Sequence, residues 1–344
     1  MARTALPRRS GRIVAALGAT ALVVSLAACA GSGASGGGDV KDKTLRLAYF
    51  SFAIENSYDA PMLAAAKKAA KDENAELTVY DANNNAQTQF SQVQDAIASG
   101  RFDGFLVQAV DGTTVIPLVT RALNKGIKVA ALDQTMGPDL TTTDKQVKGL
   151  SASVTFTSYG EGEGSAKLAK QACAQLKADP CRVGYLFDIK ASTHGQAQRK
   201  GFDTEAKGSP IQVVAEGEAQ FNANGGLTAA QTILQARPDL DIIIASDQGM
   251  QGAYKAVAAA GREKDILLVA TGGSRAGLKA VAAGQWFGTV VSAPATEGEL
   301  ATKDLITAIR TGKDQPARDG LAKVPHGGVA TQDTVADFTG EWEG

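Results

Sequence analysis

From Thr44 onward, apolar runs of four to six residues alternate with longer amphipathic stretches rich in Ala, Lys and Gln. A run that is apolar throughout suits a strand buried on both faces, and the amphipathic stretch after it supplies a helix to cover it. Repeated, the pair builds βαβ units on a parallel sheet, so an α/β protein is expected. The first strands are expected near Leu45 to Tyr49, Leu77 to Tyr80, Gly104 to Gln108, Lys128 to Leu132 and Ser151 to Thr155. A second set is expected near Val183 to Phe187, Ile211 to Ala215, Ile242 to Ala245, Leu267 to Ala270 and Thr289 to Val291. Helices fill the gaps, among them Ala60 to Glu73, Gln87 to Ser99 and Thr114 to Lys125, the last closed by Gly126 as a C-cap.

Two halves of about five strands each imply two similar, doubly wound parallel-sheet lobes with the same wiring. At 344 residues the chain is long enough for two full cores. One local echo supports the duplication: Phe102-Asp103-Gly104-Phe105-Leu106-Val107-Gln108-Ala109-Val110-Asp111 returns in outline as Leu240-Asp241-Ile242-Ile243-Ile244-Ala245-Ser246-Asp247. Any two parallel strands look alike, so the echo carries little weight alone.

The first residues read as an address. Arg3, Arg8, Arg9 and Arg12 precede a mostly apolar stretch, Ile13 to Leu26, the pattern of a secretory signal over residues 1–28. That stretch falls short of the ~20 residues that span a bilayer. Leu26-Ala27-Ala28-Cys29 resembles the bacterial lipoprotein signal box, which implies lipidation of Cys29; cleavage after small residues beside a chance Cys is the alternative. Residues 29–43 would form a flexible tether, being almost pure Gly, Ala and Ser from Ala30 to Gly38. Arg8-Arg9 leaves twin-arginine export open beside the general route. Removing the four early arginines from a formal net charge of −1 leaves −5 for the rest, without a basic stripe. Nucleic acid and anionic membrane surfaces are therefore disfavoured as partners.

With Cys29 assigned, Cys173 and Cys181 are an even pair in an oxidising compartment. A disulfide stapling a helix end to the next strand is expected, with two inert thiols as the alternative. The two histidines, His194 and His326, lack ligand spacing, so no metal site or cofactor is expected.

In open α/β sheets, ligands bind beyond the carboxyl ends of the strands, where helix N-termini present unpaired N–H groups. The tips here are Phe50 to Tyr58, Asp81 to Asn85, Gln108 to Asp111, Asp133-Gln134, Asp188 to Gln196, Phe221-Asn222, Ser246-Asp247-Gln248, Thr271-Gly272 and Ser292. Hydrogen-bonding types dominate, with aromatics among them, a set suited to gripping hydroxyls while stacking on apolar faces. Each Asp or Asn taken singly reads as well as a helix N-cap, Asp81, Asp111 and Asp247 included.

Enzyme signatures fail on inspection. Gly160-Glu161-Gly162-Glu163-Gly164-Ser165 looks like a dinucleotide loop, but Ser165 replaces its last Gly or Ala and two glutamates would repel a pyrophosphate. Gly272-Gly273-Ser274-Arg275-Ala276 misses the final Gly of a nucleophile elbow. No carboxylate pairing is readable from spacing, so a glycosidase is unsupported without being excluded.

Taken together, from about Thr44 to Phe338, the pieces resemble the type I periplasmic sugar-binding proteins of ABC importers, typified by ribose-binding protein. The marks are Glu55-Asn56-Ser57-Tyr58, where the family has Asn-Asn-Pro-Phe, and Asp81-Ala82-Asn83-Asn84. Others are Ile127-Lys128-Val129-Ala130-Ala131-Leu132-Asp133, Arg199-Lys200-Gly201-Phe202, Ser246-Asp247 and Thr289-Val290-Val291-Ser292-Ala293-Pro294. Their order and spacing carry the resemblance. It implies two discontinuous lobes, residues 44–155 with 293–318 and residues 156–292 with 319–344, joined by a three-strand hinge near Phe156, Ser292 and Arg318.

The resemblance also implies that Asn56, Asp133, Phe221 and Ser246 contact the ligand, with Tyr58 and Phe221 as stacking platforms. Asn222 and Asp247 belong to the same rim. Where the family has Arg after Leu-Asp this chain has Gln134, its second first-loop aromatic is Asp59, and an Arg of its Arg-x-Arg run is Gln196. Gly272 replaces an Asp and Ser292 a Gln. The losses imply a ligand other than ribose, larger or less densely hydroxylated, with Glu55, Asp59, Asp133 and His194 as sources of new contacts and His194 as a possible pH reporter. The expected function is capture of a sugar or polyol-like solute by a lipid-anchored, non-enzymatic monomer that closes by hinge motion and serves an ABC permease and its ATPase. A ligand-sensing module for a membrane receptor, or an exported carbohydrate-active enzyme, is the rival.

Overall fold

The structure is a computed structural model and describes residues 43–344; the signal segment, Cys29 and the tether before residue 43 lie outside the described residues. The chain opens with β1 (Leu45–Ser51), α1 (Asp59–Asp72), β2 (Ala75–Asp81), α2 (Ala86–Ser99), β3 (Gly104–Val107), α3 (Ile116–Asn124), β4 (Lys128–Asp133) and β5 (Ala152–Thr155). The pattern then repeats as α4 (Ser158–Leu176), β6 (Cys181–Phe187), α5 (Thr193–Ala206), β7 (Ile211–Glu218), α6 (Ala223–Ala236), β8 (Ile242–Ser246), α7 (Asp247–Ala259), β9 (Leu267–Gly272), α8 (Arg275–Ala282) and β10 (Gly288–Val291). A long helix, α9 (Pro294–Thr311), and two short strands, β11 (Ala317–Asp319) and β12 (Val329–Thr331), complete it.

The strands form two six-stranded sheets, ordered β2-β1-β3-β4-β5-β11 and β7-β6-β8-β9-β10-β12. The wiring of the first five strands is the same in both, as expected. All pairs are parallel except β10 with β12. Each sheet is covered on both faces, which explains the unbroken apolar runs. In the first, Ala48 and Phe50 pack towards Val93, Ile97 and Val119 of α2 and α3. Leu47 and Tyr49, pointing the other way, meet Met62 of α1 and Leu305 of α9. Helix α9 thus returns to the first sheet after β10, and β11 follows it there, with Asp319 still paired to Thr155.

The echoed segments are β3 and β8, which hold the same place in their sheets. Their leading aspartates do the same work. Asp103 accepts from the Arg46 amide of β1 at 2.8 Å, and Asp241 from the Arg182 amide of β6 at 2.7 Å.

Helices α4 and α5 touch backbone to backbone: a Cβ at Gly162 would lie 1.9 Å from the Gln198 carbonyl oxygen. The glycine-rich run read as a failed nucleotide loop is therefore a packing surface inside a helix. Cys173, late in α4, is bonded to Cys181 at the start of β6, with Cα atoms 5.8 Å apart.

Candidate functional site

The carboxyl ends of both sheets face one cleft, enclosing about 540 Å³ of empty space with its mouth included. From the first sheet come Phe52, Asn56, Tyr58 and Asp59 after β1, Gln108 after β3, and Asp133 and Gln134 at the end of β4. The second supplies Asp188, His194, Phe221, Ser246, Gln248, Thr271, Gly272 and Ser292 at its own strand tips. Phe156, Glu161 and Trp342 complete the wall. The lining gathers where each sheet reverses its strand order, the position an open α/β sheet offers a ligand.

Asp133 is central. It is 1% exposed and adopts a left-handed φ of 63°, uncommon away from glycine and best tolerated by Asp or Asn. Its carboxylate accepts from the Tyr58 hydroxyl at 3.0 Å, Gln108 Nε2 at 3.1 Å and Gln134 Nε2 at 2.9 Å. Gln108 Nε2 also donates to Asp59 Oδ1 at 2.5 Å, while its Oε1 accepts from the Phe52 amide at 3.0 Å. Phe221, also left-handed at φ 50°, is a sharper outlier because its side chain is bulky.

Burial raises the pKa of every acid in the wall. Glu161 is pushed up to about 8, despite Gln198 Nε2 donating at 3.0 Å, and Asp188 to about 7, despite the Ser246 hydroxyl at 2.6 Å. Asp59 is raised by burial first and by Asp133 second, and Asp133 by burial. His194 is pushed down to about 4 by the surrounding protein, so its ring is neutral at pH 7; its Nδ1 lies 2.9 Å from the Ser158 hydroxyl.

Several contacts hold the two rims together. Gln248 Nε2 donates to Asn56 Oδ1 at 3.1 Å, and the Tyr58 and Trp342 rings meet edge to face at 5.4 Å. Phe52 and Phe221 do likewise at 6.0 Å. Trp342 Nε1 donates to the Gly272 carbonyl at 2.9 Å. A Cβ at Gly272 would stand 2.6 Å from the Trp342 ring, so the indole occupies the space a longer side chain there would need.

Of the residues proposed from sequence, the cavity brings together Asn56, Tyr58, Asp59, Asp133, Gln134, His194, Phe221, Ser246, Gly272 and Ser292. Gln196, Asn222 and Asp247 do not line it. Gln196 is exposed, its amide donating to the Lys190 carbonyl. Asn222 caps α6 by accepting from the Gly225 amide at 2.8 Å. Asp247 is buried behind the wall, accepting from the Ser274 amide at 2.6 Å and the Thr289 hydroxyl at 3.0 Å, so it ties α7 to α8 and β10. Glu55 is exposed and outside the lining. Asp81 and Asp111 bond their own loops, accepting from the Asn83 amide at 2.9 Å and the Thr113 amide at 2.8 Å.

Gln108, Asp188, Gln248 and Thr271 were legible only as members of strand tips. Glu161 was hidden in the glycine-rich run, and Trp342 had no signal at all. Among the described residues, no group of three or more His, Cys, Asp or Glu is placed to hold a metal ion, and no helix is long and apolar enough to cross a membrane.

Two α/β lobes alike in the wiring of their first five strands, closing their carboxyl ends on one cavity, define a bilobal binding protein. The chain belongs to the periplasmic binding protein domain family, which matches residues 47–314. It is 25% identical over 273 residues to the ribose import binding protein RbsB of Bacillus subtilis, across 78% of this chain and 82% of that one. It is 28% identical over 259 residues to the D-allose-binding periplasmic protein of Escherichia coli, across 73% and 81%. A solved ABC transporter solute binding protein from Mycobacterium smegmatis, with bound glycerol, superposes at a TM-score of 0.72 and 23% identity, over 88% of this chain and 100% of that one.

Proposed function

We propose that the protein is the solute-binding component of an ABC importer, capturing a small sugar- or polyol-like solute between its lobes and presenting the closed form to a membrane permease. The carrying observation is that one cavity is walled by the strand tips of both sheets, so a bound solute bridges the lobes and favours closure through contacts available only when they meet. Export follows from the family. Anchoring through a lipid on Cys29, action as a monomer, and release of the solute unaltered are parts of the same reading.

A thermal-shift screen of the purified protein against sugars and polyols tests it. A specific binder at ~1,000 times its dissociation constant adds ~4 kcal/mol, a shift of several degrees. Recovery of intact solute after long incubation is expected; conversion to a product would turn the reading towards an enzyme.

A further inference from the structure

The cavity wall carries four carboxyl groups, those of Asp59, Asp133, Glu161 and Asp188, and no lysine or arginine. Asp59 and Asp133 stand close enough to share one amide nitrogen of Gln108. Directly behind them Glu297 is 0% exposed, its carboxyl raised by burial first and then by Asp133, with which it shares a hydrogen bond. His194, the remaining basic group in the lining, is held neutral by burial. Carboxylates packed this way cannot all ionise in a desolvated site without a counter-charge, and the wall offers none. With a neutral solute the acids keep their protons, as burial of Glu161 and Asp188 favours, whereas a cationic solute lets them ionise and gains their charge. No metal-binding group exists among the described residues, which leaves an organic cation.

We infer that the solute held here is a hydroxylated molecule bearing a protonated amine, of the amino-sugar, amino-polyol or aminocyclitol class. The inference rests on the solute-capture reading above and names the charge of what is captured.

Calorimetric titration of the full chain with matched pairs tests it: glucosamine against glucose, glucamine against sorbitol, and an inosamine against myo-inositol, with N-acetylglucosamine as a sugar whose nitrogen is uncharged. In at least one pair the amine is expected to bind about 100-fold tighter than its hydroxyl twin, the size of a charge-assisted contact. Glu161→Gln and Asp188→Asn, which keep shape and remove charge, should each shrink that ratio about tenfold, and an unchanged ratio in both variants would overturn the inference. Neutral sugars or polyols binding as tightly as their amines would overturn this inference and leave solute capture standing. Failure of every amine and every neutral twin to bind would overturn both.

Discussion

Gln248 donates its side-chain amide to Asn56 Oδ1 across 3.1 Å, joining the first turn of α7 to the loop after β1. Asn56 Oδ1 also accepts from the Tyr58 amide at 2.8 Å, so the bridge begins from a fixed side chain. Asn56→Ala and Gln248→Ala should each weaken solute binding by about 1–2 kcal/mol. The double variant should lose less than the combined single losses, because the second substitution removes a contact already gone. Additive losses in a calorimetric cycle would show that the pair is not coupled.

Asp133→Ala should be more severe. It removes the acceptor of Tyr58, Gln108 and Gln134 together and places alanine at a left-handed φ. A loss of about 2–4 kcal/mol in binding is expected. Asp133→Asn, which tolerates that backbone but can accept at only one of its two terminal atoms, should lose less than alanine and more than nothing. Unchanged affinity in the alanine variant would take Asp133 out of the site.

The raised carboxyls make the folded, closed protein sensitive to alkali. Glu161 moves from 4.5 to about 8 through burial, opposed by its bond from Gln198 and reinforced by Asp133, Asp188 and Asp247. A carboxyl whose folded pKa is higher binds its proton more tightly when folded, so stability is complete below the unfolded value and falls as pH rises from about 4.5 through 8. Glu161→Gln should flatten that decline. Melting temperatures taken between pH 5 and 9 without solute decide it; a parallel decline in both proteins would assign the loss elsewhere.

Trp342→Ala should remove one wall of the cavity and the support of Gly272. The indole is 1% exposed, and truncating so large a buried side chain costs about 3–5 kcal/mol. Trp342→Phe should keep most of the packing and lose the bond to the Gly272 carbonyl, costing about 1 kcal/mol. Denaturant midpoints and solute affinity should fall in the same order, alanine below phenylalanine below the parent protein.

The alternation of apolar runs exposed ten strands because eight of them are buried on both faces, and the edge strands β2 and β7 keep enough apolar residues to join the pattern. Elements β11 and β12 escaped because three residues such as Ala317-Arg318-Asp319 carry no period; backbone pairing, of β11 with β5 and of β12 with β10, makes them strands. Side chains fixed by their position after a strand, such as Asp133 and Phe221, were readable in advance. Those whose role depends on distant packing were not. Asp247 sits at a strand tip as Ser246 does, yet the amide of Ser274, 27 residues away, draws it behind the wall. Trp342 reaches the cavity only because the carboxyl-terminal segment runs back along α8, where the Arg275 amide donates to its carbonyl at 2.8 Å.

In the second lobe, α6 and α7 meet with no side chain between them: a Cβ at Gly226 would lie 2.0 Å from the Gly249 carbonyl oxygen, and one at Gly252 would lie 1.9 Å from that of Ala223. Surfaces so tightly seated have no room to slide, so displacement would concentrate in the linking passages while this lobe travels as one piece. Two fluorophores, one on α1 and one on α6, would then register capture as a change in a single distance, making the protein a ready frame for an optical gauge of its own solute.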